Sequence, residues 1–283
     1  MKAARAVDLD ESLVEPWGLA GDRRWLLVDE NGRFVSQREE RSLTRVVVRY
    51  APVAASVSAP VASPVSAPSD SPVSAPSAIS VSADGHPGRM ITVPAPGAPL
   101  LKVRVWSSTL LAAVAGPEAD AWFSGYLGRP VRLVYLDDPT RRAVDPDFGR
   151  PGDVVSFADG YPLLLTSAGS LDELGRWLAA DGEPPLPMTR FRPSVVVAGA
   201  APWAEDRWRR IRIGAVAFRV AKPCGRCLVT TTDQVTGERG RQPLKMLGRR
   251  RRFGQQLVFG QNLIPDSGGV IRVGDPVQVL HTA

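Results

Sequence analysis

The protein has 283 residues and a formal net charge of +6, with 44% hydrophobic and 23% charged residues. This composition is that of a globular chain long enough for two small domains or one large one. The sequence has no apolar run of about 18 residues and no apolar segment after its first residues, which excludes a transmembrane helix and a secretory signal. We therefore expect a cytoplasmic protein with no membrane partner.

Residues 24–50 are typical of β structure. The segments 24–28 and 33–37 flank a turn sequence at 29–32 and predict a hairpin, and residues 43–50 are rich in β-branched side chains. The composition then changes to Ser, Ala, Pro and Val from about residue 51 to 88, with three Val-Ser-Ala-Pro repeats. Such a segment buries too little apolar surface to offset its ordering entropy, so we predict a disordered insertion between two strands.

After the insertion, residues 101–105 alternate as a strand, and residues 131–136 form another apolar run. Between them, 117–127 is predicted to be a helix that starts at Pro117 and ends at Gly128. Residues 137–153 are rich in Asp, Pro and Arg and predict a surface loop between two lobes. We therefore divide the chain into domains at residues 1–136 and 137–283.

The C-terminal half is dominated by short strand patterns. A capping-box sequence at Ser170–Glu173 predicts a helix through Ala180, and 243–251 predicts a second short helix. Six further segments are predicted to be strands: 194–199, 207–213, 216–221, 226–232, 256–259 and 276–280. Many short strands with few helices predict a mainly β (α+β) fold, with barrel-like domains in both halves.

Cys224 and Cys227 form a Cys-x-x-Cys motif and are the only cysteines. No second pair completes a four-cysteine zinc site, and the two histidines lie in poor positions for ligands. A thioredoxin-like dithiol requires a helix after the motif, whereas the sequence that follows predicts a strand. Two buried reduced cysteines and a site for a soft metal remain open, and the flanking cations Lys222 and Arg226 favour a thiolate.

The basic residues are mostly arginine, since only four of the 35 are lysine. Coding bias is one explanation, and a phosphate site built from planar guanidinium groups is another. The run Arg249–Arg252 suggests nucleic-acid binding as another possible function. However, no aromatic residues interleave with it as a base-stacking surface requires. We expect no nucleic-acid partner.

Several ordered motifs together resemble a known family. The segment 222–238 around the cysteines, Pro243-Leu-Lys245 and Phe259-Gly-Gln-Asn262 are similar to the core of a MOSC domain (molybdenum cofactor sulfurase C-terminal domain). Residues 18–25 resemble the β-barrel domain that precedes MOSC in the amidoxime-reducing component family and its bacterial relatives. Arg190-Phe-Arg-Pro193 and Leu164-Leu-Thr-Ser167 fit the same pattern.

The resemblance implies a molybdenum–molybdopterin cofactor with Cys227 as the metal ligand and as the catalytic residue. Cys224 is expected to pack behind it. The resemblance also implies a set of residues that line the cofactor: Lys2, Arg23, Thr166, Ser167, Arg192, Ser194, Gly225, Arg226 and Asn262. Ser194 stands where relatives usually have Asn, which predicts a shortened or water-mediated contact. Only Met1-Lys2 remains of the family's first strand, so we expect the natural product to start upstream of Met1.

The function implied is a molybdenum-dependent oxidoreductase that reduces small N-hydroxylated or N-oxygenated substrates. Two cysteines cannot hold an iron–sulfur cluster, so electrons are expected from a separate ferredoxin- or flavoprotein-like partner. The alternative is a non-catalytic carrier of sulfur or cofactor that uses a Cys227 persulfide. We expect a monomer.

Overall fold

The computed structural model describes residues 1–50 and 77–283. These residues form 17 strands and three α-helices, which confirms the mainly β fold. The strands are β1 Glu11–Glu15, β2 Gly18–Leu19, β3 Trp25–Val28, β4 Val47–Tyr50, β5 Ala78–Ala83, β6 His86–Thr92, β7 Leu100–Val105, β8 Ser108–Val114, β9 Arg132–Tyr135, β10 Leu163–Ser167, β11 Val195–Val197, β12 Trp208–Ile213, β13 Val216–Gly225, β14 Arg252–Phe253, β15 Gln256–Pro265, β16 Gly269–Arg272 and β17 Val277–Thr282. The helices are α1 Pro117–Leu127, α2 Ala168–Ala180 and α3 Leu244–Arg250.

The strands form four sheets. The N-terminal half has a four-stranded sheet in the order β3-β9-β8-β7 and a three-stranded sheet in the order β4-β5-β6. The C-terminal half has a large sheet in the order β11-β10-β15-β13-β12-β17, with β14 paired to β15. The fourth sheet joins β1 and β2 to β16, so the start of the chain pairs with its C-terminal part. This sheet contains strands from both sides of residue 136. The domain division at residue 136 stays a prediction.

Separate apolar cores stabilise the two halves. Trp25 and Phe123 are fully buried between α1 and the N-terminal sheets. Phe218 and Leu263 lie in the core of the large sheet. A further core packs α2 and α3 against one side of that sheet around Phe259. No helix within the described parts of the chain is long and apolar enough to cross a membrane.

Three predictions in the N-terminal half need correction in part. The predicted hairpin forms only in part: 33–37 is not a regular strand, but Val28 bridges Phe34 in antiparallel fashion and the Val35 amide donates to the Leu27 carbonyl at 2.8 Å. The predicted disordered insertion at 51–88 falls for the most part at 51–76, outside the described residues. Its predicted end at residue 88 is wrong, because β5 and β6 already pair across 78–92. Residues 41–45 form a 3₁₀ turn, and only 47–50 of the predicted 43–50 strand is extended.

Other local predictions agree with the structure. Helix α1 begins at Pro117 and is followed by Gly128 at φ 67°, as the sequence signals predict. Helix α2 exists, but its start differs from the prediction. Ser167 occupies the N-cap position, whereas Ser170 lies inside the helix and its hydroxyl donates to the Glu205 carboxylate at 2.7 Å. A tertiary partner has therefore replaced the local capping interaction.

Candidate metal and cofactor site

The two cysteines lie where β13 leaves the large sheet. Cys224 is still in β13, and Gly225 ends that strand. Cys227 caps a 3₁₀ turn at Leu228–Thr231, and its carbonyl accepts hydrogen bonds from the Thr230 amide and hydroxyl at 3.0 and 2.9 Å. The predicted strand at 226–232 is thus wrong, and with it the argument against a dithiol that rested on that strand. Both thiols are free and partly buried.

The Arg226 side chain contacts only one of the two cysteine sulfurs. One end of its guanidinium donates to the Cys224 sulfur at 2.9 Å, and the other donates to the Phe191 carbonyl at 2.6 Å. The second expected cation, Lys222, does not reach either sulfur; its ammonium lies 4.0 Å from the centre of the Phe148 ring. Within the described ranges, no hydrogen bond reaches the Cys227 sulfur.

Arg192 links the two halves of the protein beside this motif. Its guanidinium donates to the Ala4 carbonyl at 2.8 Å and to the Gln234 side-chain oxygen at 3.0 Å. The Arg23 guanidinium donates to the Arg192 carbonyl at 3.2 Å and also pairs with Asp22. Burial, together with the nearby charge of Arg23, lowers the pKa of Arg192 to about 10.

Lys2 is a buried cation on the same side of the protein. Its ammonium donates to the Phe157 carbonyl at 2.8 Å and to the Asp159 carboxylate at 2.6 Å. Burial lowers the pKa of Lys2, although Asp159 opposes the shift. Desolvation raises the pKa of Asp159, but the positive charges of Lys2 and Arg23 outweigh it and the net shift is downward. Asp159 is therefore ionised at neutral pH.

The remaining predicted residues lie along the strands that support the motif. The Thr166 hydroxyl donates to the Met188 sulfur at 3.2 Å, and the Ser194 hydroxyl accepts from the Leu164 amide at 3.2 Å. Asn262 donates to the Lys222 and Pro223 carbonyls at 3.3 and 3.4 Å, which braces the strand leading to Cys224. The fully buried Ser167 hydroxyl has no hydrogen-bond partner among the residues described.

The structure links four of the predicted residues, Lys2, Arg23, Arg192 and Arg226, in one connected region. The Arg226 guanidinium donates to the Cys224 sulfur and to the Phe191 carbonyl. The Arg23 guanidinium donates to the carbonyl of the next residue, Arg192. Lys2 and Arg23 also act on the same carboxylate, Asp159. Ser167 and Asn262 lie on adjacent strands but share no hydrogen bond with this cation cluster. In the described part of the chain, no group of three or more His, Cys, Asp or Glu side chains could hold a metal ion without other ligands.

Two amide side chains that lie in this region were not identified from the sequence. Gln37 and Gln234 are both buried, bond each other at 3.2 and 3.3 Å, and connect Ala3 to Arg192. They lie almost 200 positions apart in the sequence, and although Gln234 falls within the segment 222–238, Gln37 belongs to no motif. Neither position carries a sequence signal that would identify the other as its partner.

Comparison with known proteins identifies the family. Residues 1–130 match the MOSC N-terminal beta barrel domain, and residues 152–278 match the MOSC domain. The chain is 30% identical to mitochondrial amidoxime-reducing component 1 of Mus musculus, over 99% of this chain and 79% of that protein. It is 28% identical to the Homo sapiens protein of the same name, over 99% and 80%.

A third relative has a different name. Molybdenum cofactor sulfurase of Danio rerio is 28% identical over 94% of this chain, which spans 31% of that longer protein. In the amidoxime-reducing components, by contrast, the similarity covers most of this chain and most of the relative. The chain belongs to the family of MOSC domain proteins with an N-terminal MOSC β-barrel domain, which includes the mitochondrial amidoxime-reducing components.

Proposed function

We propose that the protein is a molybdenum–molybdopterin-dependent reductase of small N-oxygenated compounds, with Cys227 as the protein ligand to the metal. The observation that carries this proposal is the Cys227 thiol, which is partly buried and receives no hydrogen bond from the described residues. Cys227 directly follows Arg226 in the sequence. The Arg226 guanidinium donates to the carbonyl of Phe191, which precedes Arg192. A soft thiolate beside several cations suits a metal carried by an anionic organic cofactor.

The charges of the region fit an anionic group. Four cations, Lys2, Arg23, Arg192 and Arg226, are balanced by the Asp22 and Asp159 carboxylates alone within the contacts described above. Helix α2 begins after Ser167 in the C-terminal half and has no side-chain cap. The buried Ser167 hydroxyl has no hydrogen-bond partner among the described residues. A helix start with an unused donor attracts phosphate, because backbone N–H groups and the helix dipole both favour negative charge.

The residues then have distinct roles in this proposal. Cys227 binds molybdenum, and the cations bind the pterin phosphate. Gly225 offers backbone close to the cofactor, and a Cβ there would come within 3.1 Å of the Gln256 side chain. Thr166, Ser167, Ser194 and Asn262 line or brace the site. When bound, the cofactor supplies two-electron chemistry and oxygen-atom transfer, and the protein supplies binding and electrostatics.

The overall reaction defines what must reach the site. Cleavage of the substrate N–O bond consumes two electrons and two protons, and it releases the N–H product and water. The chain has two cysteines, too few for an iron–sulfur cluster of its own. The proposal therefore includes a separate ferredoxin- or flavoprotein-like electron donor.

The test uses the purified full chain loaded with cofactor. Molybdenum and pterin content are measured first, and benzamidoxime is then supplied with reduced methyl viologen as an artificial donor. We expect benzamidine to form in proportion to the molybdenum bound, and Cys227→Ser to abolish the reaction. Cofactor-loaded protein that reduces neither amidoximes, hydroxylamines nor N-oxides would overturn the proposal.

A carrier of sulfur or cofactor is the second candidate. The relative named molybdenum cofactor sulfurase favours it, as does the partial exposure of Cys227, which leaves the thiol open to form a persulfide. Release of intact cofactor to a molybdenum-free apo-enzyme, without any N–O reduction, would support this candidate over the reductase.

A further inference from the structure

A cleft lies beside the proposed cofactor site, between residues 33–39 and the turn that joins β7 to β8. Its volume is about 270 Å³, and its walls include Phe34, Arg38, Arg104 and Trp106. This volume is near the lower end of the roughly 300–1,000 Å³ typical of small-molecule sites. We name it the Trp106 cleft.

The cleft carries an excess of positive charge. Arg33 in its wall is paired with Glu39 at 2.6 Å. Arg38 and Arg104 have exposed guanidinium groups that form no ion pair with any residue the structure describes. Arg38 lies 4.4 Å from the centre of the Trp106 ring, which holds this cation in place by a cation–π contact. Planar guanidinium groups match a carboxylate in shape and charge.

The backbone of Trp106 is strained. Its φ is 55°, in the left-handed region that favours glycine and is unusual for a bulky aromatic residue. The indole is held there by an edge contact with Phe34 at 4.8 Å and by its N–H, which donates to Asp159 at 3.3 Å. It is nevertheless 38% exposed toward the cleft and solvent. The positive φ belongs to the two-residue turn between β7 and β8, since hairpin turns of this length require it at their first position.

Asp159 and Phe34 connect the cleft to the proposed cofactor site. The Asp159 carboxylate accepts from both the Trp106 indole and the Lys2 ammonium. The same ammonium lies 5.4 Å from the centre of the Phe34 ring, which forms a wall of the cleft. A ligand in the cleft is therefore separated from Lys2 by one side chain.

We propose that the Trp106 cleft binds the carboxylate of a small planar organic anion through Arg38 and Arg104. The second part of the inference rests on the proposed function: the preferred substrates are N-oxygenated compounds that carry such a carboxylate. Trp106 provides a flat surface for the ring of the ligand, and the two guanidinium groups provide the charge.

Direct binding tests the cleft without reference to activity. Benzoate is titrated calorimetrically into wild-type protein and into Arg38→Gln/Arg104→Gln, with uncharged benzamide as the comparison ligand. We expect benzoate to bind about tenfold more weakly to the double variant, since two charge-assisted hydrogen bonds are lost. Arg132→Gln, an exposed arginine in β9 of the same sheet, serves as the matched control and should leave binding unchanged.

A second variant guards against indirect effects. Trp106→Gly relieves the positive φ and should preserve the fold while weakening benzoate binding, which thermal melting and calorimetry measure together. Equal benzoate affinity in wild type and the arginine variant, or tighter binding of benzamide than of benzoate, would overturn the cleft assignment.

Turnover then tests the substrate class. The double variant should raise the KM for 4-carboxybenzamidoxime several-fold and leave the KM for benzamidoxime unchanged. An equal rise for both compounds would overturn the substrate class. Benzoate binding that depends on the arginines, in a cofactor-loaded protein that reduces neither amidoximes, hydroxylamines nor N-oxides, would uphold the cleft and reject the proposed reductase.

Discussion

Arg226 donates to the sulfur of Cys224 at 2.9 Å, which leaves the two cysteines of the motif in different surroundings. The Cys224 sulfur has a cationic donor, whereas the Cys227 sulfur has no hydrogen bond from residues 1–50 or 77–283. A metal approaching the Cys224 sulfur would meet the positive charge of the Arg226 guanidinium, whereas no such donor from the residues described lies on the Cys227 sulfur. The arrangement therefore favours Cys227 as the ligand and Cys224 as a residue that positions Arg226.

The first prediction concerns metal content. Cys227→Ser should lose molybdenum, because a hydroxyl is a far poorer ligand for a soft metal than a thiolate. Cys224→Ser should retain most of it, since the serine hydroxyl still accepts a hydrogen bond from Arg226. Elemental analysis and pterin fluorescence measure both variants. Metal lost from the Cys224 variant and kept in the Cys227 variant would reverse the assignment.

The second prediction separates charge from geometry at Arg192. Arg192→Lys keeps the charge, but a single ammonium cannot reproduce the fork that reaches both Ala4 and Gln234. We expect Arg192→Met to retain cofactor about tenfold less well after dialysis and Arg192→Lys to be intermediate. Arg212→Lys, at an exposed position with one long contact to Gln278, is the control. Equal retention in all variants would remove Arg192 from the cofactor site.

The third prediction concerns Gly260, which lies in β15 beside the strand that carries Thr166. Its φ is 82°, and a Cβ would lie 2.5 Å from the Leu165 carbonyl oxygen. Gly260→Ala should lower the free energy of unfolding by about 3 kcal/mol or more, from backbone strain and overpacking. Gly254→Ala has φ 56° but open space, so it should cost only about 1 kcal/mol. Denaturant unfolding that gives equal losses would contradict the steric argument.

The fourth prediction concerns pH. Burial raises the pKa of Glu205, which is fully buried and has one carboxylate oxygen without a partner among the described residues. The folded state then holds this proton more tightly than the unfolded state, whose glutamate pKa is about 4.3. The contribution of Glu205 to stability is present below that pH and is lost as the pH rises through the higher folded pKa.

Glu205→Gln removes this titration. The free energy of unfolding of the variant minus that of wild type should therefore increase as the pH rises above the unfolded-state pKa of about 4.3. Glu118→Gln, at an exposed position, should show no such trend. A difference for Glu205→Gln that is independent of pH would show that its carboxylate does not titrate on unfolding.

Some local structure could be predicted from the sequence alone because its signals lie within a few residues. Pro117 and Gly128 bound α1, and the alternation at 101–105 identifies β7. Where a distant contact competes with a local preference, prediction failed. The β-branched segment 228–232 forms a 3₁₀ turn because the Cys227 carbonyl accepts from Thr230 and the Thr231 carbonyl accepts from Arg190 at 2.9 Å.

By itself, the sequence determined the mainly β class, the Cys-x-x-Cys motif and, through its ordered motifs, the family. The tertiary structure alone decided that Arg226 contacts Cys224, that Lys222 lies on Phe148, and that Lys2 meets Asp159. It also assembled the Gln37–Gln234 bridge and the Trp106 cleft, whose members have no motif in common. The physical reason is that hydrogen bonds and ion pairs act over a few ångströms in space, whereas their partners here lie up to about 200 positions apart in the chain.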